Sequence, residues 1–94
     1  MAPVIRDARR IKVYQVIFSK KSIKSLKKLP GAIQTRVAKL TAQLRYNPYM
    51  GKKLEGRYKD DYSLRVWPYR IIYDIKKYEL IVFIIRIGHR QGIY

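Results

Sequence analysis

The only histidine of the chain, His89, opens a six-residue ending that also holds Arg90 and the final Tyr94. Histidine, arginine and tyrosine together can cleave RNA without a metal, one shifting a proton while the others hold the extra phosphate charge of the transition state. A lone histidine is more often a structural residue than a catalyst. Arg65 and Arg70 are harder to set aside. They flank Trp67-Pro68 and can project from one face of adjacent antiparallel strands, since cross-strand neighbours share a face. Two guanidiniums side by side repel unless an anion sits between them. The alternative is a structural network in which Asp60, Asp61 or Asp74 neutralises them.

Other chemistries lack their residues. There is no cysteine, so disulfides, thiol chemistry and Cys-based zinc sites are excluded, and one histidine makes no metal cluster. Six acidic residues leave little for a carboxylate metal cage or a glycosidase pair. No cofactor is expected. The segment Gly51-Lys52-Lys53-Leu54-Glu55-Gly56-Arg57-Tyr58-Lys59 has two glycines and four cations but no Gly-Lys-Ser/Thr signature, which rules out a P-loop. Its Lys52, Lys53, Arg57 and Lys59 are read as RNA-binding; the blander alternative is a solvated charged loop.

The chain carries 22 Lys+Arg against 6 Asp+Glu, a formal charge of +16 in 94 residues. Self-repulsion at this density costs stability, and a polyanionic partner is the usual reason to keep it. Residues 1–59 hold 16 basic and 2 acidic side chains (+14), against 6 and 4 (+2) in residues 60–94. The first part is the electrostatic footprint, with Lys20, Lys21, Lys24, Lys27 and Lys28 joining the loop as RNA-binding candidates. A hydrophobic content of 48% still allows a core, so this is not a disordered basic tail. The longest apolar run, 80–85, is far short of the ~20 residues that span a bilayer, and the basic N-terminus lacks a signal peptide's apolar stretch. A soluble, cytoplasmic protein without membrane contact is expected.

Residues 13–18 are β-branched and aromatic and predict a strand, with Tyr14, Val16 and Phe18 on one side and Val13, Gln15 and Ile17 on the other. Ser19 is placed to cap a short helix in which Ile23, Leu26 and Leu29 form the apolar side. After Pro30-Gly31, the stripe Ile33, Val37, Leu40, Leu44 predicts a second helix, stopped by Asn47-Pro48. From Tyr62 the period becomes two. Tyr62, Leu64 and Val66 alternate with Ser63, Arg65 and Trp67; Tyr69, Ile71, Tyr73 and Ile75 alternate with Arg70, Ile72 and Asp74. The run 80–87 is read as apolar on both faces and therefore as a central strand. The order β-α-α-β-β-β predicts an α+β fold, an N-terminal strand and helical hairpin followed by a three-stranded antiparallel meander. No linker or repeat divides the chain, so residues 1–94 are expected to form one domain with 1–12 as an N-terminal extension.

Four blocks resemble, in order, the conserved blocks of RelE toxins in the RelE/ParE superfamily: Lys53-Leu54-Glu55-Gly56, Asp61-Tyr62-Ser63-Leu64-Arg65-Val66, Tyr69-Arg70-Ile71-Ile72-Tyr73 and Gly88-His89-Arg90-Gln91-Gly92-Ile93-Tyr94. The resemblance spans about residues 13 to 94. The Tyr-Arg-Ile-Ile-Tyr block is common to nucleases and to non-nuclease ParE relatives, whereas the Gly-His-Arg then Ile-Tyr ending is similar to the RNA-cleaving branch.

The resemblance implies the toxin of a type II toxin–antitoxin system, a ribosome-dependent endoribonuclease that cuts messenger RNA in the A site and is held inactive by a cognate antitoxin, which the +16 charge of this chain predicts to be acidic. It also implies a compact β-α-α-β-β-β fold and a metal-independent attack of the 2′-hydroxyl on the adjacent phosphate. The roles it carries over fall on Arg70, Arg90 and Tyr94, with Arg65 and His89 in support. Arg65 matches a position that is lysine in the best-known members. A neighbouring family lysine corresponds to Ser63 here, which moves proton transfer toward His89. Two other classes stay open: a ParE-like inhibitor of DNA gyrase, and a basic module that occupies RNA or ribosomes without cutting.

Overall fold

The computed structural model describes residues 12–89. Strand β1 (Gln15–Phe18) is two residues shorter at its start than the apolar pattern predicts. The amide of Tyr14 donates to the Arg45 carbonyl (2.7 Å), and sheet pairing starts only where Gln15 N reaches Leu80 O (2.8 Å). The predicted alternation holds: Tyr14, Val16 and Phe18 turn inward while Val13, Gln15 and Ile17 are exposed.

Helix α1 (Lys20–Lys27) starts where Ser19 Oγ accepts from the Ser22 amide (3.0 Å), a cap contributing about 1 kcal/mol. Leu26 and Leu29 pack on the core as expected, but Ile23 stays 40% exposed. The residue buried instead is Ser22, whose hydroxyl bonds back to the Ser19 carbonyl (2.8 Å), so this short helix is anchored through its polar start. Helix α2 (Gly31–Leu44) follows the predicted stripe, with Val37 and Leu44 fully buried and Ile33 and Leu40 packed beside them. Removing a fully buried Val or Leu from water is worth roughly 1.5–3 kcal/mol, so this stripe is what holds the helix to the sheet.

Four further strands follow: β2 (Lys52–Lys53), β3 (Asp61–Val66), β4 (Tyr69–Lys76) and β5 (Ile81–His89). The sheet order is β1-β5-β4-β3-β2, with β1 parallel to β5 and the other pairs antiparallel. The expected meander is therefore present and gains β2 as a further edge strand. The stretch read as a loop contributes it because Lys52 pairs with Ser63 and Lys53 with Tyr62. The last strand is interior as predicted, although β4 is the middle one of the five.

The face of the sheet that carries Leu64, Val66, Ile71, Tyr73, Val82, Ile84 and Ile87 is covered by both helices and forms the core. One irregularity decides which side chains reach it. Pairing between β4 and β5 jumps from Tyr73↔Ile84 to Ile72↔Arg86, so Ile85 is an extra residue on β5, a β-bulge. Its carbonyl accepts from Ser19 Oγ (2.7 Å). Without the bulge, strict alternation would put Arg86 on the core face with Val82 and Ile84; with it, Ile87 enters the core and Arg86 is turned out. The run read as apolar on both faces thus contains one outward cation.

Candidate functional site

The face opposite the helices carries three rows of cross-strand neighbours. One row is Arg65, Arg70 and Gly88; the next is Lys52, Ser63, Ile72 and Arg86; the third is Asp61, Asp74 and Phe83. Directly opposed residues share a face, so Lys52, Arg65, Arg70 and Arg86 emerge on the same surface from four different strands. Rigid strands therefore present all four. Arg70 is fixed further: its Nη1 donates to Ser63 Oγ (3.1 Å), and Ser63 is only 3% exposed. Arg65, opposite it, is exposed.

The predicted pair is thus side by side, and the acidic residues do not neutralise it. Asp61 and Asp74 lie four positions along β3 and β4 from Arg65 and Arg70, about 13 Å at ~3.3 Å per strand residue. Asp74 instead pairs with Lys76 (3.2 Å). The Asp61 carboxyl is pushed above its usual range by burial and then by the charges of Asp74 and Asp60, while Arg86 opposes the shift. The open face therefore runs from a cationic end to an acidic one, with Arg86 between them. Two cations on opposed positions of neighbouring strands, with no carboxylate in contact among the described residues, are suited to receive an anion. Guanidinium suits phosphate because it stays charged and can bind two oxygens at once.

His89 lies at the same end of the sheet but on the other face. It is paired with Tyr69, whose ring it meets edge-on at 6.0 Å between centroids, and it is exposed. Arg90 and Tyr94, expected to complete the site, lie outside the described residues. The basic candidates divide between surfaces. Lys52 belongs to the open face, Lys53 shares the opposite face with Tyr62, and Arg57 and Lys59 are exposed around a 3-10 turn (Gly56–Tyr58). Lys20, Lys21, Lys24, Lys27 and Lys28 are exposed along α1 and just after it, in the helical layer. Arg86 is the residue that sequence reasoning missed. Its one signal was a charge inside an otherwise apolar run, and periodicity alone assigns that position to the core.

Comparison with known proteins bears on this arrangement. The model of the ParE toxin of type II toxin–antitoxin systems (parDE) matches residues 16–94. The chain belongs to the RelE/ParE toxin superfamily. Among solved structures, this toxin is similar to the RelBE2 toxin–antitoxin complex of Mycobacterium tuberculosis, at 31% identity over 83% of its own length and 99% of that chain, TM-score 0.76. The archaeal RelE–RelB complex of Pyrococcus horikoshii matches at 29% identity over 87% and 99%, TM-score 0.74. The isolated E. coli RelE toxin, at 24% identity over 81% and 83% with TM-score 0.72, shares the fold. Among curated protein sequences nothing matches.

In this toxin the segment leading into β2 is pinned from beneath. The fully buried Tyr73 donates its hydroxyl to Pro48 O (2.7 Å) and accepts from Gly51 N (3.0 Å). Burial pushes the phenol up to about 12, against the lowering effect of the Gly51 amide. The approach is close: a Cβ on Gly51 would lie 2.5 Å from that hydroxyl and 2.9 Å from Ser63 O. Glycine at 51 thus allows β2, and with it Lys52, to lie against β3.

Proposed function

We propose that this toxin is a ribosome-dependent endoribonuclease that cuts messenger RNA in the A site and so inhibits translation. The observation that supports it best is the opposed pair Arg65 and Arg70 on an open sheet face, with no carboxylate in contact among the described residues. In this reading Arg70, held by Ser63, grips the scissile phosphate and Arg65 supports it. The 2′-hydroxyl attacks the phosphorus, the bond to the 5′-oxygen breaks, and the products are a cyclic phosphate and a free 5′-hydroxyl. The chemistry needs a base, cations for the phosphorane and an acid for the leaving oxygen, and no metal. His89 is a candidate for proton transfer from the sheet end, Arg90 adds a second phosphate contact, and Tyr94 stacks on a base or moves a proton.

The lysines of α1 and the 52–59 segment supply ribosomal RNA affinity, and the cognate antitoxin is an acidic chain that covers part of this charge in the cytoplasm. Toxin–antitoxin assembly in the M. tuberculosis and P. horikoshii relatives supports such a partner. Primer extension on translated messenger RNA after brief expression tests the activity: new ends within coding sequence are expected, and Arg70→Ala should abolish them. A second reading, inhibition of DNA gyrase by protein contact, is favoured by the matching family's ParE description. Loss of supercoiling activity with intact messenger RNA would select it. Ribosome binding without cut ends would leave a non-cleaving module.

A further inference from the structure

The far end of the sheet holds a cleft unrelated to the arginine pair. Lys77 follows the end of β4, seven residues beyond Arg70, about 23 Å away at ~3.3 Å per strand residue. There a cleft of about 430 Å³ is lined by Lys12, Tyr14, Tyr46, Asn47, Tyr49 and Lys77 among others. That volume lies within the roughly 300–1,000 Å³ of small-ligand sites. Its floor is the 5% exposed Tyr14, while Tyr46 and Tyr49 keep 63% and 53% of their surface in water.

These rings are supported. Tyr49 meets Tyr62 edge-on at 5.9 Å, Tyr62 stacks on the anchored Tyr73 at 5.5 Å, and the Tyr49 hydroxyl contacts that of Tyr14. The Arg45 guanidinium sits 5.8 Å from the Tyr46 ring centroid. Two lysines flank the cleft, no carboxylate lines it among the described residues, and Asn47 offers both an amide donor and an acceptor. Exposed, pre-positioned aromatic faces beside lysines are what a sequence-tolerant single-strand site needs, since every base has a face to stack and every linkage a phosphate.

We propose that this cleft binds one or two unpaired RNA nucleotides, a base stacking on Tyr46 and Tyr49 and the adjoining phosphates lying on Lys12 and Lys77. It gives the toxin a second grip on single-stranded RNA, remote from the arginine pair. The site goes beyond the nuclease reading and shares with it only the premise that the ligand is RNA. An acidic peptide would use the lysines but leave the two phenol faces and the amide without purpose.

The test is fluorescence anisotropy of a labelled unpaired hexanucleotide titrated with the full chain, its fold checked by circular dichroism. Stacking contributes enough per base that Tyr46→Ala should weaken binding about 5- to 150-fold. Lys77→Gln should reduce the log–log salt slope by about 0.7. Parental affinity in both variants would overturn the proposal; if Arg65→Gln still weakened binding, the arginine face would stand without the cleft. Loss of affinity in Lys77→Gln with none in Tyr46→Ala, together with displacement by hexaglutamate, would mean a charge-only acidic-peptide surface and also overturn it. No hexanucleotide binding by the parent chain would remove the shared premise and both RNA sites together.

Discussion

Arg70 donates to Ser63 across the β3–β4 ladder at 3.1 Å, although the strand register places Ser63 opposite Ile72 and Arg70 opposite Arg65. The contact is diagonal. It draws the Arg70 guanidinium along the face, away from the like charge of Arg65 and toward the row that carries Lys52, Ser63 and Arg86, and holds it there.

Ser63 is accordingly expected to act as a positioning residue for Arg70. A hydrogen bond to a charged group is worth about 1.5–3 kcal/mol, so Ser63→Ala should lower single-turnover messenger cleavage by roughly tenfold or more with little loss of ribosome affinity. Ser63→Thr, which keeps the hydroxyl, should restore most of the rate. Arg70→Ala should stay folded and lose on the order of 10²- to 10³-fold, by analogy with loss of one transition-state donor.

Tyr73 is expected to govern the alkaline limit of stability. Its phenol is about 12 in the folded chain against 10.0 ordinarily, so the unfolded chain releases this proton first as pH rises. Folding therefore loses stability between about pH 10 and 12, and the contribution is fully present below pH 10. Two units correspond to at most about 2.7 kcal/mol. Tyr73→Phe should lack this component in urea melts at successive pH values. It should also be less stable at pH 7 by about 1–3 kcal/mol for each partner it strands, Pro48 O and Gly51 N.

Gly51→Ala should destabilise the chain, since its Cβ would meet the Tyr73 hydroxyl at 2.5 Å and the Ser63 carbonyl at 2.9 Å. Both neighbours are held in place, so relief requires moving β2. A loss of about 1–3 kcal/mol is expected, the usual cost of overpacking. Gly31→Ala, with open space around its Cβ, should leave thermal stability nearly unchanged or slightly raised.

Asp61 should titrate above its ordinary 3.8 because burial, Asp74 and Asp60 all disfavour its charge. Its folded value is raised, so its contribution favours the fold below pH 3.8 and is lost as pH rises through the folded value. Asp61→Asn should thus be neutral to stabilising at pH 7. Arg86→Gln, which removes the opposing cation, should raise the Asp61 value further in a carboxyl NMR titration.

Much of this toxin is readable from its residues, because period and punctuation are local properties. The stripe Ile33–Val37–Leu40–Leu44, the Ser19 cap and the alternation of Tyr62–Val66 and Tyr69–Ile75 each follow from a few neighbouring positions, and they give the element order. Even the neighbourhood of Arg65 and Arg70 follows, since the short turn at Trp67-Pro68 sets their register. What lay beyond the sequence depends on contacts between distant segments. Ile85 is displaced into a bulge whose carbonyl is taken by Ser19, 66 residues earlier, and no local pattern announces that bond. That one residue inverts the alternation after it: Arg86 joins the arginine face, Gly88 faces Arg70, and His89 is turned toward Tyr69. The pairing of β1 with β5 and of Lys52 with Ser63 are likewise tertiary decisions. Residue types supplied the cations; the strand register, a balance of burial and hydrogen bonding over the whole sheet, decided which of them share a face.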